Sequence, residues 1–110
     1  MKPTRYYSDK QEKRTAKNLN AQVQVSSGSS KFYKGDVQNN NFLIECKTCT
    51  QPKKSFSIKK EWLEKIQLQS LEMRKNYPVL AFDFGDDENY YVLNEKTFKA
   101  FVEWVETIED

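Results

Sequence analysis

The stretch from Lys34 to Lys47 restricts the fold more than any other part of this chain. Lys34-Gly35-Asp36-Val37-Gln38 and Phe42-Leu43-Ile44-Glu45-Cys46-Lys47 flank the polar turn Asn39-Asn40-Asn41, the pattern of two antiparallel strands in a hairpin. Side chains on a strand alternate between the two faces of a sheet. Phe42, Ile44 and Cys46 are expected to point one way, and Leu43, Glu45 and Lys47 the other. Asp36 then sits beside Glu45. Two carboxylates that close are costly unless positive charge shares the site. Lys47 and a divalent cation would supply that charge.

The rest of the chain places this hairpin in a larger sheet. Lys2, Arg5, Tyr6 and Tyr7 read as a basic, aromatic arm over residues 1–7. Ser8 or Asp9 can cap a helix, with Gln11 or Glu12 three positions on, and the helix should end near Asn18 or Asn20. Ala21 to Val25 alternates as a strand with Ala21, Val23 and Val25 towards the core. Ser26-Ser27-Gly28-Ser29-Ser30 is either a plain linker or a phosphate-binding loop. After a polar, basic stretch around Pro52-Lys53-Lys54, Ser57 can cap a second helix from Ile58 to Lys75. Ile58, Trp62, Ile66 and Met73 form one stripe of that helix, while Leu68 and Leu71 lie on a different side, available to a partner subunit or to a second layer of the domain. Val79 to Phe84 is apolar with little alternation, as a central strand would be. An acidic turn, Gly85 to Asn89, leads to the strand Tyr90 to Leu93. Asn94 can cap a last helix whose Phe98, Phe101, Val102, Val105 and Ile108 are expected to pack on the sheet. The order αβββαββα predicts an α/β class, a mixed sheet flanked by helices, in a single domain over residues 1–110.

Composition narrows the classes of function. Residues 1–60 hold 13 Lys/Arg against 4 Asp/Glu, whereas residues 61–110 hold 5 against 12. The basic half contains the carboxylate pair, as expected if a polyanion binds there. An interaction domain using the acidic half is the competing reading of the same asymmetry. Cys46 and Cys49 are the only cysteines and there is no histidine, so a four-ligand structural zinc site is excluded and two reduced thiols, one buried, are expected. No apolar run approaches the roughly 20 residues needed to cross a bilayer. The first residues lack the apolar stretch of a signal peptide, which makes a cytoplasmic protein the expectation.

Two carboxylates and a lysine on paired strands are equipment for metal-assisted hydrolysis of a phosphodiester. Magnesium suits a hard oxygen site of one or two carboxylates with a backbone carbonyl and water. Asp36 and Glu45 are the expected ligands, the backbone carbonyl of Cys46 a third, and Lys47 the group that orients water and stabilises developing negative charge. Glu12 has two readings: completing the cap of the first helix, or serving as an outer acid of the site. A surface strand carrying an ordinary Glu–Lys pair is the plain alternative to all of this.

These residues resemble the PD-(D/E)XK nuclease superfamily, whose signature is an acid on one strand and E-x-K on the next. The likeness is nearest to its Holliday junction resolvase branch, of archaeal and phage type, and spans roughly residues 8–84. Its segments are Glu12, Ser27-Gly28-Ser29, Lys34-Gly35-Asp36-Val37, Phe42 to Thr48 and Val79 to Phe82. The resemblance implies a restriction-endonuclease-like core and a magnesium-dependent endonuclease, with Mn2+ able to substitute, acting as a homodimer on four-way DNA junctions. Asp36, Glu45 and Lys47 would be its catalytic centre, Glu12 an accessory acid and Ser29 a phosphate contact. Ser27, Gly28, Lys34, Arg5, Lys53, Lys54, Lys59 and Lys60 would hold DNA, and Leu68 and Leu71 the second subunit. Gly35 stands where the signature has proline. Restriction, repair and nicking nucleases share the short motif, and a non-catalytic DNA-binding module could keep the same fold.

Overall fold

A computed structural model describes residues 2–24 and 35–109 of the chain. Among them eight elements follow in the expected order: α1 (Thr4–Asn18), β1 (Gln22–Val23), β2 (Val37–Gln38), β3 (Phe42–Lys47), α2 (Lys60–Glu72), β4 (Tyr77–Asp83), β5 (Asn89–Leu93) and α3 (Glu95–Glu109). The strands form one five-stranded mixed sheet whose spatial order is the sequence order. β1, β2 and β3 pair antiparallel, β3 and β4 run parallel, and β5 returns antiparallel. A parallel pair needs a long crossover, and α2 provides it.

Val79, Leu80 and Ala81 are consecutive and all buried, so β4 requires cover on both faces. On one face Ala16 of α1 meets Val37, Ile44, Val79 and Ala81. On the other, Leu80 lines a small cavity with Leu63 and Ile66 of α2. The alternation expected along β3 holds: Phe42, Ile44 and Cys46 belong to the α1 side of the core, while Lys47 reaches Trp62 of α2.

Several boundaries differ from expectation for physical reasons. α1 starts at Thr4 after Pro3, with no side-chain cap, so residues 4–7 are helix rather than an arm. Proline suits a helix entrance because its missing N–H is one that the first turn leaves unpaired. The first turn is held instead by its own side chains: Arg5 pairs with Asp9 at 3.0 Å, and the Tyr6 and Tyr7 rings meet edge to face. α2 starts at Lys60 rather than Ile58, and Ser57 does not cap it. Phe56 stacks on Phe82 at 5.2 Å, which holds the chain extended through the stretch where the cap was expected. Both helices close the same way. Asn20 and Arg74 adopt left-handed φ of 50° and 57°, and the N–H groups of Ala21 and Lys75 reach back to the carbonyls of Ala16 and Ser70 at 2.8 Å.

Two core assignments are corrected. Val23 pairs with Val37 and so shares its face, yet stays exposed because β1 is a two-residue edge strand; Gln24 beside it is the buried residue. Val25 lies outside the described residues. α3 is capped as expected, with the Thr97 N–H donating to Asn94 Oδ1 at 2.8 Å. Only one edge of its apolar face meets the sheet, where Phe101 and Trp104 line a groove with Phe42, Tyr77 and Leu93; Thr97 is its one buried residue, and Phe98, Phe101, Trp104 and Ile108 each expose more than half of their surface. Helical periodicity marks an apolar face without saying what covers it. No helix among the described residues is long and apolar enough to cross a membrane.

Candidate functional site

Register brings the expected pair together. Val37 lies opposite Ile44, so the next antiparallel position out sets Asp36 opposite Glu45 on the face that looks towards α2. The Asp36 N–H donates to the Ile44 carbonyl at 2.8 Å. Its own carboxylate then takes over from the ladder, with Oδ2 accepting the Cys46 N–H at 2.8 Å. Gly35 makes this turn possible. Its φ is +71°, a conformation that the proline ring of the family signature forbids. A Cβ at that position would stand 2.8 Å from the buried Leu43 side chain. The left-handed glycine therefore sets the backbone route into Asp36.

The carboxylates are crowded. Burial raises the Glu45 carboxyl above its ordinary range, and Asp36 raises it further by its charge and by a shared hydrogen bond, against the pull of Lys47 and Lys65. Glu12 belongs to the same group. Because α1 begins at Thr4, Glu12 stands in mid-helix and has no cap to complete. It is half-buried, and burial followed by the charge of Asp36 pushes its carboxyl from 4.5 up to about 7. Of its two readings the cap is ruled out by where α1 starts, and its carboxyl lies within reach of the charges of Asp36 and Glu45. The Cys46 thiol, facing Thr15 of α1, is also pushed up by burial and then by Asp36, and so is inert as a nucleophile. Both cysteines are free and Cys49 is buried, as expected.

Lys47 is held from two sides. Its Nζ lies 3.6 Å from Glu45 Oε1 and 4.6 Å from the centre of the Trp62 ring, a cation–π contact. Trp62 in turn packs near Phe56, which stacks on Phe82. Trp62 and Lys65 thus join the site from α2 although the sequence reading gave them no such role. Their three-residue spacing on one helix was the signal: a turn of α2 laid across β3 puts both above Glu45 and Lys47.

A buried polar network fixes α1 against the end of the sheet. Asp83, fully buried at the end of β4, accepts from Arg14 Nη2 at 2.8 Å, from the Thr48 hydroxyl and from the Gly85 N–H at 3.0 Å. Gln11 Nε2 donates to the Lys47 carbonyl at 2.8 Å, while Gln11 Oε1 is buried with no partner among the described residues. Arg14 and Lys10 also reach Asp87 in the acidic turn, each at 3.2 Å. An aspartate inside an otherwise apolar strand was the readable trace of this network.

Asp36 and Glu45 supply hard carboxylate oxygens, and the Cys46 carbonyl lies between two residues that face the site, a donor set that fits magnesium. Among the described residues no three acidic or sulfur side chains are spaced to hold an ion by themselves. The carboxylates crowd one another without converging on one point, so backbone, water and substrate oxygens would complete the shell. Beside the site, Thr48, Thr50, Lys53, Ser55 and Ser57 line a cleft of about 530 Å3 rich in hydroxyls. Lys53, Lys54, Lys59, Lys60 and Arg5 are all exposed. Ser27, Gly28, Ser29 and Lys34 lie outside the described residues. Leu68 and Leu71 are exposed on α2. No family model, curated protein or solved structure matches this chain.

Proposed function

We propose that this chain is a magnesium-dependent endonuclease with a restriction-endonuclease-like core, acting as a homodimer on branched DNA. The observation that carries the reading is the pairing of Asp36 with Glu45 across β2 and β3, with Lys47 on the same face. The resemblance in sequence to junction resolvases gives the substrate, and the basic charge of residues 1–60 suits a polyanion.

Each residue has a task in that reaction. Asp36 and Glu45 would hold Mg2+, which when bound polarises the phosphate and lowers the pKa of water. Lys47, kept in place by Glu45 and Trp62, directs its ammonium at the attacking water and at the charge growing on the phosphoryl oxygens. Glu12, poised near neutrality, exchanges a proton with water at its carboxyl oxygens in the working range of pH. The exposed lysines of residues 53–60 hold the DNA backbone without reading sequence. Two sites related by a two-fold axis suit a four-way junction, in which two symmetric strands are cut.

The test is cleavage of a synthetic four-way junction with magnesium, beside three-way, flap and linear duplex DNA. Lys47→Ala and Asp36→Asn are expected to bind the junction and leave it intact. Wild-type protein that binds junctions and never cuts, with magnesium or with manganese, refutes the proposal.

A further inference from the structure

One end of the sheet, on the face that α2 covers, carries a run of aromatic rings beside Lys47. Lys47 pairs with Phe82 of β4, and Phe82 with Tyr90 of β5, so these three side chains cross the sheet on one face. Phe56 stacks on Phe82 with ring centres 5.2 Å apart, and Phe82 lies near-parallel to Tyr90 at 5.8 Å. Phe84 closes on Phe82 and Tyr90 edge to face. α2 lies over β3 and β4, but β5 is an edge strand, and Tyr90 ends the series 48% exposed. A ring already held by its neighbours loses little freedom when a ligand stacks on it.

The charge around an open ring chooses its ligand. Residues 46–60 carry Lys47, Lys53, Lys54, Lys59 and Lys60 and no acid. The Lys53 N–H donates to the Phe84 carbonyl at 2.8 Å, which ties that basic stretch to the rim of the aromatic run. Thr48, Thr50, Ser55 and Ser57 line the cleft next to Phe56 and Lys53. On the other side, Asp86 and Glu88 are exposed, while Asp87 is taken up by Lys10 and Arg14. An anion is thus drawn to the lysine side. Phosphates and an open π face occur together in a nucleic-acid strand. Bases in a duplex hide their faces against one another, so the base that lies on Tyr90 must be unpaired.

We infer that Tyr90, backed by Phe82 and Phe84, is a stacking platform for an unpaired base of a DNA strand whose phosphates run along Lys53 and the hydroxyls beside it. Lys47 stands two strands away on the same face, about 10 Å in sheet spacing. The platform therefore holds the strand close to the proposed point of cutting. DNA as the ligand rests on the proposed nuclease function; the unpaired base is what the platform adds.

Binding of a labelled oligothymidylate in chelator, beside a duplex of equal length, tests this without cleavage. Wild type is expected to bind both, and Tyr90→Ala to lose about fivefold or more for the single strand and about twofold or less for the duplex. Tyr90→Phe keeps the π face and is expected to bind as wild type. Tyr90→Leu keeps apolar cover without a π face and is expected to follow Tyr90→Ala, with unchanged circular dichroism. Lys53→Ala with Lys54→Ala is expected to weaken both ligands alike and to flatten the salt dependence. Wild type that ignores the single strand, or Tyr90→Ala or Tyr90→Leu that binds it undiminished, overturns the platform. Equal losses on single strand and duplex overturn the unpaired base. Cleavage separates the two readings. Protein that holds the strand through Tyr90 and cuts no junction with magnesium or manganese refutes the nuclease alone. Junction cutting, with strand binding indifferent to Tyr90, refutes the platform alone.

Discussion

Removing the charge of Glu12 should make the metal-free protein more stable, by a margin that opens above pH 4.5 and is complete above about 7. Its carboxyl is pushed from 4.5 to about 7 by burial and by Asp36. Between those values the folded chain holds a proton that the unfolded chain has released, so stability falls as the pH rises through this window. Below 4.5 both states are protonated and the penalty vanishes. Felt in full, the displacement corresponds to about 3.4 kcal/mol. Glu12 is only half-buried and water screens it, which leaves about 1–2 kcal/mol. Glu12→Gln keeps the shape and loses the charge. In chelator at pH 8 it should therefore unfold about 5 °C or more above wild type, and at pH 4 together with it. Magnesium should then stabilise wild type more than the variant, since wild type has more charge to neutralise. A variant no more stable than wild type at pH 8, or equally more stable at pH 4, would show that Glu12 is not strained by its neighbours and would undo the argument for the cluster.

Other substitutions probe the supports of the site. Asp83→Asn takes the buried carboxylate from Arg14, which keeps Asp87 as its ion-pair partner, and should cost about 1.5–3 kcal/mol in urea unfolding. Gly35→Ala asks a left-handed position to accept a Cβ already 2.8 Å from Leu43, and should cost about 2 kcal/mol or more. Gly35→Pro should fold less well still, despite matching the family signature. Trp62→Leu removes the ring beneath Lys47 and about 0.5–2 kcal/mol of cation–π attraction. If cleavage proceeds as proposed, kcat should fall in that variant while junction affinity stays near that of wild type, and an unchanged kcat would deny Trp62 its part.

What could be read from the residues was the part governed by short-range pattern. The alternation through Phe42–Lys47 and the turn at Asn39–Asn41 fixed a hairpin, and a hairpin fixes register. Register alone set Asp36 against Glu45. The cap at Asn94 was equally local. Features decided at long range were not legible. Whether α1 began at Thr4 or at Asp9 depended on how the first turn could be held without a capping side chain, and Glu12 changed its role with that answer. Trp62 read as one position of an apolar stripe, and Lys65 stood out in no pattern until α2 was laid over β3. For α3 the periodicity was right and the extent of burial was not, since an amphipathic pattern does not say how closely the helix lies on its sheet.

Gln11 ties the backbone of Lys47 to the helix that carries the adjacent Glu12. The acid on the helix and the base on the strand are thereby bolted to a single rigid strut. If the chain binds DNA as proposed, any adjustment to it would fall to the basic stretch beyond Lys47 and not to the core. Loosening that one hydrogen bond would blur the spacing between the carboxyl and the ammonium group while leaving both side chains chemically intact.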